Sequence, residues 1–279
     1  MWRCPLCKSP IDLVNSPVNC LQNHSFDKAK SGYVNLFPVQ FKKSKAPGDD
    51  KAMVQARRTF HQLNAYQPLK QRMVELVLDT LKNSENLKVK TPIHIFDAGC
   101  GEGSYLNEVV NGLREKGISC VGAGSDISKI AVDLAAKAFK SEQFVVASSF
   151  ELPLENYSQD IIIQVFAPGS DAEYVRLLSD EGILITVDPS FDHLYEIKSL
   201  VYDSPRKHTP NHTNRDGLEL VNRERLTFTI DLVDTEHALA LIKMTPFYWK
   251  LPQGKINSMV SALKSVTADF NVQVWKKAL

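Results

Sequence analysis

Long apolar runs are missing from this chain of 279 residues. No run approaches the roughly 20 apolar residues that a membrane-spanning helix needs, and the first residues lack the apolar core of a signal peptide. A net charge of +1 excludes a partner that is recognised by bulk charge, so a polyanion would have to meet a local basic patch. We therefore expect a cytoplasmic protein with no membrane partner.

The five cysteines are odd in number and unevenly spread, which excludes a disulfide framework. Three of them lie in the first 20 residues, in the pattern C-x2-C-x12-C-x3-H. Two ligand pairs at this separation are typical of a tetrahedral zinc site, and thiolates with one imidazole favour Zn²⁺ over hard cations. Four protein ligands leave no open position for catalysis. We predict a structural zinc ion; the alternative is a chance group of cysteines in a loop. The predicted ligands are Cys4, Cys7, Cys20 and His24.

A glycine-rich loop, Asp-Ala-Gly-Cys-Gly-Glu-Gly at positions 97–103, follows the apolar run 93–96 and leads into a helical pattern from Ser104. Glycines let a loop backbone turn sharply and approach a ligand closely. The G-x-G-x-G spacing differs from the dinucleotide fingerprint and resembles motif I of class I S-adenosylmethionine-dependent methyltransferases. The alternative is a glycine-rich turn with no ligand. The predicted cofactor contacts of this loop are Asp97, Gly99, Gly101 and Gly103.

Three further strand patterns follow the glycine loop, and the first ends at Asp126. An acid there can accept hydrogen bonds from ribose hydroxyls; the alternative is a helix N-cap, a role that Ser128 can fill instead. Ser148 stands where most methyltransferases of this class carry the aspartate that binds adenine, a contact a hydroxyl makes more weakly. The last part of the chain reads as strand, helix, strand. The sequence thus predicts an α/β, Rossmann-like sheet of about seven strands with an antiparallel edge.

Lysines and aromatic residues alternate after the zinc pattern, over residues 25–50. Basic side chains neutralise phosphates, and aromatic rings can stack on unpaired bases. The aromatic residues are better explained by inward packing, but the lysine cluster, with two arginines of the next helix, indicates a polyanion surface. The predicted RNA contacts are Lys42, Lys43, Lys45, Arg57 and Arg58.

The order of these motifs resembles one family closely. The zinc pattern is followed by Gly-Tyr-Val-Asn-Leu-Phe-Pro-Val-Gln at 32–40, Ala-Arg-Arg at 56–58, Tyr-Gln-Pro-Leu at 66–69 and Met-Thr-Pro-Phe at 244–247. With the glycine loop between them, they make the chain similar to the RlmA-type 23S rRNA guanine-N1 methyltransferases along almost its whole length. The resemblance implies methyl transfer from S-adenosylmethionine to N1 of a guanine in a 23S rRNA hairpin, and a homodimer whose zinc modules shape an RNA cleft.

Residue roles also follow from the resemblance. The cofactor contacts of the family fall on Tyr66, Gly101, Glu102 and His193. The residues at 166–169, Phe-Ala-Pro-Gly, replace the polar N-P-P-Y type loop of many amino methyltransferases and offer no general base. We predict that Asp188 accepts the N1 proton; the alternative is that it caps the next helix.

The predicted organisation is a zinc-binding RNA-recognition module at 1–45, a helical linker and cofactor lid at 46–90, and the methyltransferase domain at 91–279. Two other functions stay open. A quinone-type small-molecule methyltransferase would need neither the zinc module nor the lysine cluster. A non-catalytic RNA-binding protein would not need the acids of the cofactor site.

Overall fold

A computed structural model describes residues 2–41, 48–209, 214–245, 247–251, 254 and 256–278 of the chain. The strands are β1 (Val18–Asn19), β2 (Ser25–Phe26), β3 (Val34–Asn35), β4 (Ile93–Ala98), β5 (Cys120–Asp126), β6 (Gln143–Val146), β7 (Gln159–Val165), β8 (Leu178–Pro189), β9 (Leu218–Asp231) and β10 (Ser265–Lys277). The α-helices are α1 (Lys51–Gln62), α2 (Gln67–Asn83), α3 (Glu85–Val89), α4 (Ser104–Glu115), α5 (Lys129–Ala138), α6 (Asp171–Leu177), α7 (Tyr195–Val201), α8 (Thr235–Lys243) and α9 (Ile256–Ala262). Two 3₁₀ turns span Val39–Phe41 and Tyr248–Lys250.

The central sheet has eight strands in the order β3-β6-β5-β4-β7-β8-β10-β9. Strand β10 is antiparallel to both its neighbours, and the other pairs are parallel. Seven of these strands, from β6 to β9 across the sheet, form the predicted class I methyltransferase fold, which is confirmed. The eighth strand was not predicted. Strand β3 comes from the N-terminal segment and pairs with β6 through Val34 and Val145; it is too short to show a periodic pattern.

The two faces of the sheet bury separate sets of apolar side chains. One face is covered by helices that include α2, α4 and α8, with Leu69, Leu106 and Leu241 fully buried. The other face is covered by α6 and by the N-terminal segment. Both faces of the parallel strands are therefore shielded from water. This explains why β4 and β7 carry near-continuous apolar runs.

The N-terminal segment packs directly on the sheet through Trp2. Its ring lies edge-on to Phe96 of β4, with centroids 6.1 Å apart. The indole Nε1 donates to Oε1 of Gln143 at 2.5 Å. The backbone N–H of Arg3 donates to the carbonyl of Pro153 at 3.0 Å. The zinc-ligand segment and the sheet thus share one apolar core, while the predicted domain boundaries stay predictions.

The parallel strands β4, β5, β7 and β8 all end at the same edge of the sheet. Ligands of open α/β sheets bind at this edge, where the loops after the strands converge. Among the described helices, none is long and apolar enough to cross a membrane.

Candidate cofactor, substrate and zinc sites

The four predicted zinc ligands come together near the N-terminus. Their ligand atoms all lie within 4.8 Å of one another, with Cys7 Sγ 3.6 Å from Cys20 Sγ and Nδ1 of His24 3.4 Å from Cys20 Sγ. Zn–S bonds of about 2.3 Å in a tetrahedron place sulfur atoms about 3.8 Å apart, so these distances fit one zinc ion. Hydrogen bonds from Ser9 lower the pKa of Cys7 to about 7, which favours the thiolate that a metal needs.

The glycine loop forms one wall of a cavity of about 1050 Å³. Gly99 has φ +89°, and a Cβ added there would lie 2.4 Å from Cβ of Ala167, in the loop after β7. The close approach of these two loops explains why the position requires glycine. Of the predicted cofactor residues, Asp97 and Gly103 do not line the cavity. Those that do are Tyr66, Gly99, Gly101, Glu102, Asp126, Ser148 and His193.

Asp126, at the tip of β5, ties the glycine loop to the next helix. Its Oδ2 accepts the N–H of Gly101 at 3.0 Å, and its Oδ1 accepts the N–H of Ser128 at 2.7 Å. Ser128 caps α5 through its hydroxyl, which accepts from the N–H of Ala131. Asp126 therefore does not serve as the cap, and its carboxylate stays in the cavity wall where a ribose contact is expected. Burial raises its pKa.

Asp97, at the end of β4, lies behind the glycine loop and is 1% exposed. Burial, with the nearby charges of Asp126 and Glu102, raises its pKa to about 8. Its Oδ2 has no hydrogen-bond partner within the described residues. Nδ1 of His61 and the hydroxyl of Tyr105 are also buried without a partner in the described part of the chain, and both residues line the cavity. Two unpaired polar atoms in the cavity wall, with a third on Asp97 behind the glycine loop, fit a polar cofactor such as S-adenosylmethionine.

Tyr66 precedes α2 and is 2% exposed. Its ring is held edge-on between Phe60 and Phe270, at centroid distances of 5.0 and 5.1 Å. Burial raises the pKa of its hydroxyl, so the phenol is neutral. Tyr66 thus lies in the cavity wall, and the lid stays a prediction.

His193 follows β8 and is 7% exposed. The backbone N–H of Asp269 donates to its Nδ1 at 3.3 Å, which leaves the ring proton on Nε2. Burial, with the nearby charge of His208, lowers the pKa of His193 to about 3. His193 is therefore a neutral hydrogen-bond donor.

Arg57 lines the cavity, and its side chain is 28% exposed. Its Nη2 is 2.5 Å from Oδ2 of Asp49, and its Nη1 would be 3.6 Å from a Cβ on Gly101. The sequence did not indicate this position, because α1 and the glycine loop are about 40 residues apart. Arg58 is partly exposed and does not line the cavity. Lys42, Lys43 and Lys45 lie outside the described residues, and the RNA contacts stay predictions.

Asp188 does not line the cavity, although its neighbour Pro189 does. In β8, Val187 packs in the core on the cavity side of the sheet. Because side chains alternate along a strand, Asp188 is on the opposite face. Its role as proton acceptor stays a prediction.

Apart from the loop at 166–169, the half of the cavity away from the glycine loop was not predicted from the sequence. Part of it comes from the segment 203–216, which is polar and contains two prolines. Residues 210–213 of that segment lie outside the described part. Lys198 is 8% exposed, its Nζ donates to the carbonyl of Arg206 at 3.1 Å, and burial lowers its pKa. This half combines aromatic and basic groups. Its residues include Phe166, Lys198, Tyr202, Arg206, His208 and Phe247.

Comparisons with known proteins support the zinc segment and the methyltransferase assignment. A family model described as RlmA, N-terminal, a zinc ribbon, matches residues 2–45. A Bacillus subtilis (strain 168) protein named "Putative 23S rRNA (guanine-N(1)-)-methyltransferase YxjB" is 31% identical over 290 residues, which cover 99% of this chain and 97% of that protein. A Streptomyces fradiae protein named 23S rRNA (guanine(748)-N(1))-methyltransferase is 29% identical over 269 residues, covering 95% and 91%.

Solved structures with a similar arrangement share little sequence. Coclaurine N-methyltransferase bound to S-adenosylhomocysteine has a TM-score of 0.45 at 12% identity, covering 75% of this chain and 72% of that chain. A methyltransferase from Thiobacillus denitrificans in complex with the same compound has a TM-score of 0.41 at 11% identity, covering 74% and 90%. With TM-scores this low, the assignment rests on the sequence relatives. The Bacillus subtilis relative is 31% identical over almost the whole chain, and the chain belongs to the RlmA-type 23S rRNA (guanine-N1)-methyltransferase family.

Proposed function

We propose that this protein transfers a methyl group from S-adenosylmethionine to N1 of a guanine in a hairpin of 23S rRNA, and that it works as a homodimer. The observation that carries the proposal is the continuous cavity, which runs from the glycine loop to a half lined by aromatic and basic groups. Its volume of about 1050 Å³ is slightly above the range of about 300–1,000 Å³ for single-ligand sites. The cavity therefore suits a cofactor and a nucleobase side by side.

The chemistry requires an unpaired base. N1 of guanine lies in the middle of the Watson–Crick edge, so the nucleotide must leave the helix before it can react. The bound cofactor supplies an electrophilic methyl group on a sulfonium. As the bond from N1 to that carbon forms, the bond from carbon to sulfur breaks, and the N1 proton must leave. The protein's main task is alignment of the reacting atoms.

His208 is a second candidate for the proton acceptor, beside Asp188. It lines the substrate half of the cavity, and its ring lies 6.2 Å from that of His193. Burial and the charge of Lys198 lower the pKa of His208, so the imidazole is neutral near pH 7 and can take up a proton. We expect the variant His208→Gln to lower kcat more than Asp188→Asn does. An equal loss of kcat in both variants, or a larger loss in Asp188→Asn, would favour Asp188 as the proton acceptor.

The direct test is incubation with radiolabelled S-adenosylmethionine and an unmodified 23S rRNA hairpin, followed by nucleoside analysis. We expect label in 1-methylguanosine, and none with the variant Asp126→Ala, which removes the acceptor at the tip of β5. Label in another nucleoside would contradict the choice of N1. Cofactor binding with no label in the RNA would favour one of the two alternative functions.

Adjacent arginines offer a matched test of the RNA surface. Arg57 lines the cavity and Arg58 does not. We expect Arg57→Ala to weaken cofactor affinity and Arg58→Ala to weaken RNA affinity, with the salt dependence of RNA binding reduced by about one charge. Calorimetry with the cofactor and filter binding with the hairpin separate the two effects. If Arg57→Ala weakened RNA binding and left cofactor affinity unchanged, Arg57 would be assigned to the RNA surface instead.

A further inference from the structure

Phe166 has an unusual backbone and an unusual environment. It follows β7 directly and has φ +52°, in the left-handed region that non-glycine residues rarely adopt. Its side chain is 41% exposed although it lines the cavity. A large apolar side chain held in a strained conformation and left partly in solvent needs an explanation, and such positions concentrate at functional sites.

The loop around Phe166 is braced on several sides. The N–H of Phe166 donates to the carbonyl of Val187 at 3.0 Å. Nε2 of Gln164 donates to the carbonyl of Ala167 at 2.5 Å, and Gln164 in turn accepts from the buried guanidinium of Arg215 at 3.1 Å. Arg215 also forms an ion pair with Asp171, at 2.7 Å. These contacts hold the backbone of Phe166 in place from both sides of the residue.

The ring of Phe166 is packed only in part. It lies 5.8 Å from His193 at an interplanar angle of 30°, and 5.6 Å from Phe270. The next residue, Ala167, is the one that abuts Gly99 of the glycine loop. Phe166 therefore stands at the junction between the cofactor half and the substrate half, with the rest of its surface facing the cavity.

We infer that Phe166 is the platform on which the target guanine stacks, an inference that rests on the proposed function. A base taken out of its helix loses its stacking partners, and aromatic side chains replace them. The loop lacks a polar side chain that could grip the base edge, so an aromatic face is what this loop offers. Its place beside the glycine loop puts a stacked base within reach of the cofactor end of the cavity.

Two substitutions test the inference. Phe166→Leu keeps an apolar side chain but removes the aromatic face, and we expect it to raise KM for the hairpin about ten-fold or more with cofactor affinity unchanged. Phe166→Trp keeps the face, so KM should stay within about two- to three-fold of the wild type. The added indole should also lose fluorescence when the hairpin binds, measured as the difference from the wild-type signal.

Tyr157→Leu is a matched control. Tyr157 also has a positive φ, +54°, and is 63% exposed, but it does not line the cavity. We expect this variant to keep the wild-type KM, which would show that loss of an aromatic ring at an exposed left-handed position does not by itself change KM.

Three outcomes would overturn the inference: an unchanged KM in Phe166→Leu, an equal loss of cofactor affinity in that variant, or a Phe166→Trp signal that the hairpin leaves unchanged. If the proposed function is wrong, the wild type will give no methylated RNA. In that case the fluorescence of Phe166→Trp still shows whether the hairpin contacts this residue.

Discussion

At the residue scale, the glycine-loop end of the cavity is crowded with acids. The charges of Asp126 and Glu102 contribute to the raised pKa of Asp97. The guanidinium of Arg57 forms an ion pair with Asp49. Because Asp97 keeps its proton up to about pH 8, the negative potential at this end of the cavity comes from Glu102 and Asp126. S-adenosylmethionine carries positive charge on its sulfonium and its ammonium group, so the field favours its binding.

Asp97 predicts a pH dependence of stability. Its pKa is about 8 in the folded chain and near 3.8 when unperturbed, so between these values the folded state keeps a proton that the unfolded state has lost. The contribution of Asp97 to the free energy of unfolding is therefore complete below about pH 4 and decreases as the pH rises towards 8. Asp97→Asn cannot titrate. We expect the stability of this variant relative to the wild type to increase by roughly 2–5 kcal/mol between pH 5 and pH 8.

Urea unfolding of both proteins without cofactor, at intervals from pH 5 to pH 8, measures this difference. A difference between the two that does not change with pH would show that Asp97 is ionised throughout.

Gly99 predicts a clash that a second glycine does not share. Gly99→Ala brings a Cβ 2.4 Å from Ala167 at φ +89°, whereas Gly117→Ala, at φ +76°, meets nothing within 4 Å. We expect Gly117→Ala to lower the free energy of unfolding by about 1–2 kcal/mol, the cost of the left-handed backbone. Gly99→Ala should cost about 1–3 kcal/mol more because of overpacking, and only this variant should weaken cofactor binding.

Urea unfolding and calorimetric titration with S-adenosylmethionine give the two quantities. Equal costs in the two variants would mean that the loop after β7 moves freely away from Gly99.

At the scale of elements, the N-terminal segment has little regular structure of its own. Strands β1 and β2 have two residues each, far below what an isolated hairpin needs for stability. The zinc ligands come from the turns around this hairpin, so the metal replaces the missing core.

Metal content gives the prediction at this scale. We expect one zinc ion per wild-type chain and none in Cys20→Ser, which removes a ligand. Cys120→Ser is the control, because Cys120 is buried in β5 and its Sγ donates to the carbonyl of Val110 at 3.6 Å. It should keep its zinc. A chelating dye, added after the thiols are modified, counts the released metal; zinc retained by Cys20→Ser would contradict the assigned ligand set.

At the scale of the whole molecule, the zinc segment and the methyltransferase sheet are packed as one unit. The segment supplies the edge strand β3, and Trp2 is 4% exposed against the sheet. An apolar core shared in this way makes the two parts unfold together.

Trp2→Ala tests this coupling. Removing a buried tryptophan should lower the free energy of unfolding by about 3–5 kcal/mol, whereas Leu6→Ala, at a site in the same segment that is 43% exposed, should change it by less than about 0.5 kcal/mol. In the wild type, zinc release and the loss of helical circular dichroism should occur at the same urea concentration. Release of zinc well before the sheet unfolds would show that the segment is an independent domain.

Several features could be predicted because neighbouring residues encode them. The zinc ligands fall in two short groups, the glycine loop is continuous between a strand and a helix, and α4 begins at the predicted Ser104. Short continuous apolar runs likewise placed most strands of the sheet. In each case the chemistry depends on spacing within one segment, which the sequence displays directly.

Other features depended on segments that are far apart in the chain. The place of Arg57 over the glycine loop, the brace from Arg215 to Gln164 and the edge strand β3 all follow from packing between distant segments. The left-handed conformation of Phe166 follows from the same packing, since its bond to Val187 joins two strands. The sequence by itself therefore determined the fold class, the zinc ligands and the cofactor loop. Only the tertiary structure decided which side chains share the cavity, because strand alternation and helix packing, not spacing, set the direction of a side chain.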